Sequence, residues 1–260
     1  MRASVISLSG GLDSTSLLVH LLSKDYNVDA VSFRYGQRHE IEIEKASENI
    51  SYLHSIGLKQ VRHKVIDISD AMSLISSDLT NNKSIIPTGY YEEKSMKSTV
   101  VPNRNSIFSS ILYGFALSIA NRTGSDVQIS LGVHSGDHTI YPDCRPDFYK
   151  SLHKAFTLGN WDSDRIKFYM PYIDTDKSKI LVDAKESCSV LGIDFSVLFS
   201  NTVTSYSPNS DGISDGRTGS DIERILAFHE IGEIDPVKYT KPWEEVLSYA
   251  LKVRSDYNKL

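Results

Sequence analysis

Only two cysteines, Cys144 and Cys188, occur in 260 residues. That excludes a disulfide framework and a four-cysteine metal site, and it suits a reducing compartment, here the cytoplasm. No apolar run approaches the roughly 18 residues needed to cross a bilayer, which excludes an integral membrane protein. The opening Met1-Arg2-Ala3-Ser4-Val5 lacks the apolar centre of a secretory leader and reads as a strand. Positive charge is not in excess: 28 Lys and Arg against 33 Asp and Glu leave −5. No global basic field draws in nucleic acid, and no direct nucleic-acid contact is expected. There is no internal repeat and no long low-complexity tract. What remains is an ordinary globular composition, 40% hydrophobic and 23% charged. The length suits one domain, or one with a small appendage.

Short apolar runs alternate with helical patterns. Residues 3–8, 28–33, 61–66 and 127–131 read as strands, and 14–22, 41–54 and 177–191 as helices. Ile107, Phe108, Ile111, Leu112 and Phe115 fall on one helical face. This alternation predicts a doubly wound α/β fold with a mostly parallel sheet of about five strands. The expected active site lies at the carboxyl ends of the strands, at a topological switch point. Residues 67–98 are long, polar and rich in Ser, Asn and Lys, which reads as a surface excursion or a substrate lid. Residues 205–220 are irregular, and two helices, 222–231 and 243–253, follow. We expect a main domain over 1–195 and a small C-terminal helical appendage over 196–260.

The first strand runs into Ser9-Gly10-Gly11-Leu12-Asp13-Ser14-Thr15 and then a helix. Two glycines let backbone N–H groups approach an anion, and the helix N-terminus adds positive potential and free donors. The segment is not a Walker A motif, a Gly-x-Gly-x-x-Gly fingerprint or a nucleophile elbow. Read alone, it is a phosphate or pyrophosphate loop, or a tight turn with a Ser or Asp cap.

Ser-Gly-Gly-Leu-Asp-Ser behind a first strand resembles the PP-loop of N-type ATP pyrophosphatases, which split ATP into AMP and pyrophosphate. Further segments narrow the likeness. They are Phe33-Arg34-Tyr35-Gly36-Gln37-Arg38-His39 with Glu42, Thr99 to Asn105, and Gly132-Val133 with Asp137. Tyr141-Pro142-Asp143-Cys144-Arg145-Pro146-Asp147-Phe148 completes the set. Together they resemble the QueC family of 7-cyano-7-deazaguanine synthases, from the first strand to about Tyr239. The resemblance implies ATP and Mg²⁺, and 7-carboxy-7-deazaguanine or a related deazapurine as substrate. The carboxylate is adenylated, ammonia attacks to give an amide, and a second ATP drives dehydration to the nitrile. It also implies a homodimer.

On this resemblance Ser9, Gly10, Gly11, Leu12, Asp13 and Ser14 hold the ATP phosphates, with Asp13 near Mg²⁺. Phe33 and Gln37 flank the adenine. Lys177 binds phosphate or is a solvated helix residue. Asp143 is the expected acceptor for the donor edge of a guanine-like base. Arg104 or Arg145 forks onto the substrate carboxylate, or each merely fixes its loop. Tyr35 and Tyr141 stack on the base or pack. His39 is a base or a satisfied helix-start histidine. Asp137 is a second metal-binding or proton-handling carboxylate.

One departure stands out. Relatives carry four zinc-binding cysteines near the C-terminus, and that register here falls on Ser205, Asp215, Thr218 and Asp221, followed by Arg224. Oxygen donors of this kind hold zinc poorly, so no zinc is expected. The expectation is a hydrogen-bonded loop with Asp221 capping the next helix and Arg224 pairing nearby. The departure leaves three readings open. The first is a zinc-free nitrile synthase. The second is a divergent ligase joining the deazaguanine to a protein amine, as in anti-phage operons such as type IV CBASS, with an operon protein partner. The third is a non-catalytic nucleotide-binding module.

Overall fold

The computed structural model describes residues 2–38, 40–80, 89–90 and 94–259. Five strands form one sheet: β1 (Arg2–Ser7), β2 (Tyr26–Arg34), β3 (Val61–Asp67), β4 (Val127–Ser130) and β5 (Ile166–Tyr169). Their order is β3-β2-β1-β4-β5 and every pairing is parallel. The helices are α1 (Leu12–Ser23), α2 (Ile41–Ser55), a single turn α3 (Ser69–Met72), α4 (Arg104–Thr123), α5 (Pro146–Gly159), α6 (Lys177–Leu191), α7 (Phe195–Ser200), α8 (Gly219–Glu230) and α9 (Trp243–Tyr257).

Side-chain alternation along the strands divides the core. Val5 and Val31 face Leu112, Ala116 and Ile119 of α4 and Tyr149 of α5. Ile6 and Ala30 face Leu17, Leu21, Ile50, Ile180 and Leu181 of α1, α2 and α6. Leu198, Phe199 and Phe228 from the C-terminal helices join this second layer. Buried polar groups inside the sheet are satisfied locally: the Ser4 and Ser130 hydroxyls share a 2.7 Å hydrogen bond between β1 and β4, and the Ser32 hydroxyl of β2 donates to the Leu8 carbonyl at 2.5 Å. The fold class read from the alternation is the one observed.

The chain winds from β1 to β3 on one side and from β4 to β5 on the other. The switch point therefore lies between β1 and β4, and the loops after these two strands open a crevice at their carboxyl ends. Helix boundaries are set by local chemistry. Asp176 caps α6 by accepting from the Lys179 N–H at 2.9 Å, and Gly192, at φ +67°, ends it. Pro146 opens α5 at a position that needs no donor.

The excursion expected over 67–98 lies partly outside the described residues. Its described part returns to the body through Asp78 N–H to Ser98 O, 3.0 Å, and Leu79 O accepts from Arg38 N–H at 3.1 Å. Among the described residues no helix is long and apolar enough to cross a membrane.

Candidate active site

The loop after β1 is built by hydroxyls and by close backbone contact. The Ser9 N–H and hydroxyl both reach the Ser14 hydroxyl, at 3.2 and 3.0 Å. The Gly11 N–H donates to the Ser9 hydroxyl at 3.2 Å. Gly10 sits at φ +88°, and a Cβ there would lie 2.0 Å from the Glu42 carbonyl oxygen. Only glycine satisfies both conditions, and the first turn of α2 thereby rests directly on the loop. Gly11 is the N-cap of α1 and supplies no side-chain cap, leaving first-turn N–H groups for an anion. Gly132, after β4, lets that strand's loop approach α1: a Cβ there would meet the Asp13 carbonyl oxygen at 3.1 Å.

Beside the loop lies a charged cluster. Lys177, at the first position of α6, is 5% exposed. Its Nζ is 3.4 Å from Asp13 Oδ2 and 2.7 Å from Glu223 Oε2. The second carboxylate comes from α8. His134 is 1% exposed, with Nε2 3.8 Å from Asp13 Oδ2 and Nδ1 3.9 Å from Glu223 Oε1. The Gly136 N–H donates to His134 Nδ1 at 3.1 Å, which makes Nδ1 the acceptor nitrogen. A helix N-terminus disfavours a buried ammonium, so Lys177 needs both carboxylates.

A cavity of about 280 Å³ opens from the loop along the crevice. Of the expected residues, Ser9, Gly11, Leu12, Asp13, Ser14, Phe33, Tyr35, Gln37, Arg104, Tyr141 and Lys177 line it. Gly10 stands behind it, its carbonyl accepting from the Val203 N–H at 3.0 Å. Gln37 shapes the turn after β2: its Oε1 accepts from the Tyr35 N–H at 2.8 Å and its Nε2 donates to the Phe33 carbonyl at 3.2 Å. Phe33 stacks on Phe108 with ring centres 4.1 Å apart. The Tyr141 hydroxyl shares hydrogen bonds with Thr99, 2.7 Å, and Tyr206, 2.9 Å. Arg104 enters from the first turn of α4, its guanidinium 5.8 Å from the Tyr35 ring centre and donating to the Tyr35 hydroxyl at 3.4 Å. Burial works against the Arg104 charge, but Tyr35, Tyr141 and Tyr206 around it hold the guanidinium above its ordinary range.

Two substrate residues fall elsewhere. Asp143 is not in the lining; its Oδ2 accepts from the Asn105 N–H at 3.3 Å and so ties the loop after β4 to α4. Arg145 is exposed and donates to the His138 carbonyl at 2.8 Å, which fixes its own loop. The Asp137 side chain and His39 lie outside the described residues. The structure also brings in residues that sequence reasoning gave no role. Glu42 lines the cavity, and burial lifts its carboxyl to about 7, against the pull of Arg104. His134 was signalled only by its place behind the fourth strand. Glu223 had no local signal, since α8 is far from the loop in sequence.

Mg²⁺ fits Asp13, whose Oδ1 is buried without a hydrogen-bond partner among the described residues. One carboxylate beside substrate phosphates is a usual donor set for this ion. Zinc does not fit the C-terminal register. The Ser205 hydroxyl donates to Asp221 Oδ2 at 2.9 Å, and the Thr218 hydroxyl to the same oxygen at 2.5 Å. Ser214, not Asp215, completes this buried cluster, 3.1 Å from Ser205. Asp215 turns outward and accepts from the Arg217 N–H at 3.1 Å. The cap differs as well: Thr218 is the N-cap of α8, and Asp221 back-bonds to the Thr218 N–H at 3.1 Å in a reciprocal capping box. Arg224 pairs with Asp235 through two contacts of 2.6 and 2.8 Å.

Comparison with known proteins places these features. A family model described as "Queuosine biosynthesis protein QueC" matches residues 3–232. The 7-cyano-7-deazaguanine synthase 1 of Colwellia psychrerythraea is 40% identical over 235 residues, 90% of this chain and 97% of that protein. A 7-cyano-7-deazaguanine synthase of Caldicellulosiruptor saccharolyticus is 38% identical over 239 residues, 92% of this chain and 96% of that protein. Among solved structures, a 4-thiouridine synthetase–RNA complex with bound ATP aligns with 98% of this chain and 53% of its own, at 16% identity and a TM-score of 0.47.

Proposed function

The chain belongs to the QueC family, and from that premise we propose that it is an ATP-dependent, AMP-forming carbon–nitrogen ligase acting on 7-carboxy-7-deazaguanine. A carboxylate is a poor electrophile, so its oxygen first attacks the α-phosphorus of ATP and pyrophosphate leaves. Ammonia then attacks the acyl carbon of the adenylate and AMP departs, giving the amide. The amide oxygen then attacks the α-phosphorus of a second ATP and pyrophosphate leaves, and departure of AMP with loss of both N–H protons gives the nitrile. Each displacement builds charge on phosphate oxygens, where fixed donors act most strongly.

The observation that carries this reading is one cavity lined by two kinds of groups. The loop N–H groups, the Ser9 and Ser14 hydroxyls and Lys177 are a set suited to polyphosphate. Arg104 lines the same cavity with a guanidinium suited to a carboxylate. Asp13 would hold Mg²⁺, which would supply charge neutralisation on the leaving pyrophosphate. His134 and Glu223 keep the Asp13–Lys177 pair in place.

Purified protein incubated with ATP, 7-carboxy-7-deazaguanine and ammonium should yield AMP and pyrophosphate, with the cyano base detected by mass spectrometry. ADP and orthophosphate as products would refute the reading.

A further inference from the structure

We infer that Glu42 is the group that reads the base: its carboxylate accepts the two adjacent donors, ring N–H and exocyclic 2-amino, of a guanine-type edge while Arg104 takes the substrate carboxylate. The inference rests on the proposed function and supplies the specificity residue that Asp143, outside the cavity, does not.

The argument starts from unsatisfied groups. Glu42 lines the cavity, yet among the described residues no group donates a hydrogen bond to its carboxylate. Arg104 makes one side-chain hydrogen bond among the described residues, to Tyr35, and no carboxylate of the described residues lies within ion-pair distance of it. The two opposite charges line one cavity and feel each other without an ion pair between them. Groups held apart in this way are costly unless a ligand bridges them. A deazaguanine with a carboxylate on its five-membered ring carries an anion at one end and a pair of donors at the other. It fills both vacancies, with Tyr35 and Phe108, set edge to face at 5.5 Å, as ring-sized apolar walls.

Adenine fits the carboxylate less well. Its edge sets one amino donor beside a ring acceptor, which would face a carboxylate oxygen directly. The position of Glu42 is also built, not incidental. The first turn of α2 is seated on Gly10, where any Cβ would strike the Glu42 carbonyl. The loop that holds phosphate thus also sets the carboxylate that reads the base.

The test measures pyrophosphate exchange into ATP, driven by 7-carboxy-7-deazaguanine or by its analogue lacking the 2-amino group. Wild type should prefer the amino-bearing base by at least about 10²-fold, since a site built to bind a donor discriminates by up to about 10⁴–10⁵-fold. In Glu42→Gln the preference should collapse to below about fivefold, because the amide offers one acceptor in place of two. If that variant does not turn over, the same ratio is read from equilibrium binding of the two bases. Wild type without preference would overturn the inference, and so would Glu42→Gln with the wild-type preference. A raised KM for ATP with preference retained would place Glu42 at the adenine and overturn it too. Absence of exchange with either base would remove the proposed function itself, a result distinct from the other three.

Discussion

Asp13 shows how much one side chain carries here. Its Oδ2 faces Lys177 and His134, and its Oδ1 is buried with no hydrogen-bond partner among the described residues. The free oxygen suits a cation that arrives with ATP. Asp13→Ala should therefore lower turnover by at least about 10²-fold, an electrostatic loss of several kcal/mol, and should lower the melting temperature too, because it leaves buried Lys177 with one of its two carboxylates. Pyrophosphate release is the readout, and wild-type turnover in the variant would contradict the role. Asp13 was legible because it sits inside Ser-Gly-Gly-Leu-Asp-Ser. Its neighbours were less so. Lys177 read equally as a phosphate ligand or a solvated residue, and only packing against Asp13 and Glu223 decides that it is buried. Arg145 and Asp143 sit in a motif as distinctive as that of Asp13, yet Arg145 fixes its own loop and Asp143 ties that loop to α4. A motif marks a segment, whereas side-chain direction depends on what lies opposite.

Helix α8 shows the same division for an element. Thr218-Gly219-Ser220-Asp221 before an apolar run is a helix start on sequence alone, although Thr218 and not Asp221 takes the cap. What anchors the helix is nonlocal. Arg224 is 2% exposed and reaches Asp235, Thr202, Thr204 and the Phe199 carbonyl. Arg224→Met should cost about 3–5 kcal/mol in urea unfolding, because it strands buried Asp235. Pairing it with Asp235→Leu should recover much of that loss, since no lone charge then remains. Equal destabilisation by the single and the double variant would show that packing, not charge pairing, holds α8. The elements missed in the sequence were β5 and α5, together with the short α3 and α7. Ile166-Lys167-Phe168-Tyr169 is four residues long and gives periodicity nothing to count, and its strand state comes from pairing with β4. The signal for α5 was present in Pro146 at its first position, inside a segment read for its chemistry.

Across the whole molecule, the C-terminal helices add to the candidate site that the sheet begins. α8 supplies Glu223 to the loop cluster and Phe228 to the core beside α1. The segment before α8 holds a buried cluster of hydroxyls around Asp221, whose carboxyl is pushed up by burial and drawn back by the donors around it. Hydrogen bonds satisfy these groups, so a metal has no acceptor left to win. Metal analysis should give well under one zinc per chain, and a chelator should leave the melting temperature unchanged. One tightly held zinc per chain, lost together with stability, would overturn this account.

The doubly wound parallel sheet, the phosphate loop and the family were all legible in the linear chain. Strand and helix periodicity, turn glycines and a contiguous anion loop are local properties, and residues near in sequence express them wherever they are placed. The partners of those residues were not legible. Glu42 over Gly10, Glu223 on Lys177, and Ser214 in place of Asp215 are meetings between distant segments. Burial selects such contacts by requiring every enclosed charge and hydroxyl to find a partner, and which partner is within reach is known only once the layers have packed.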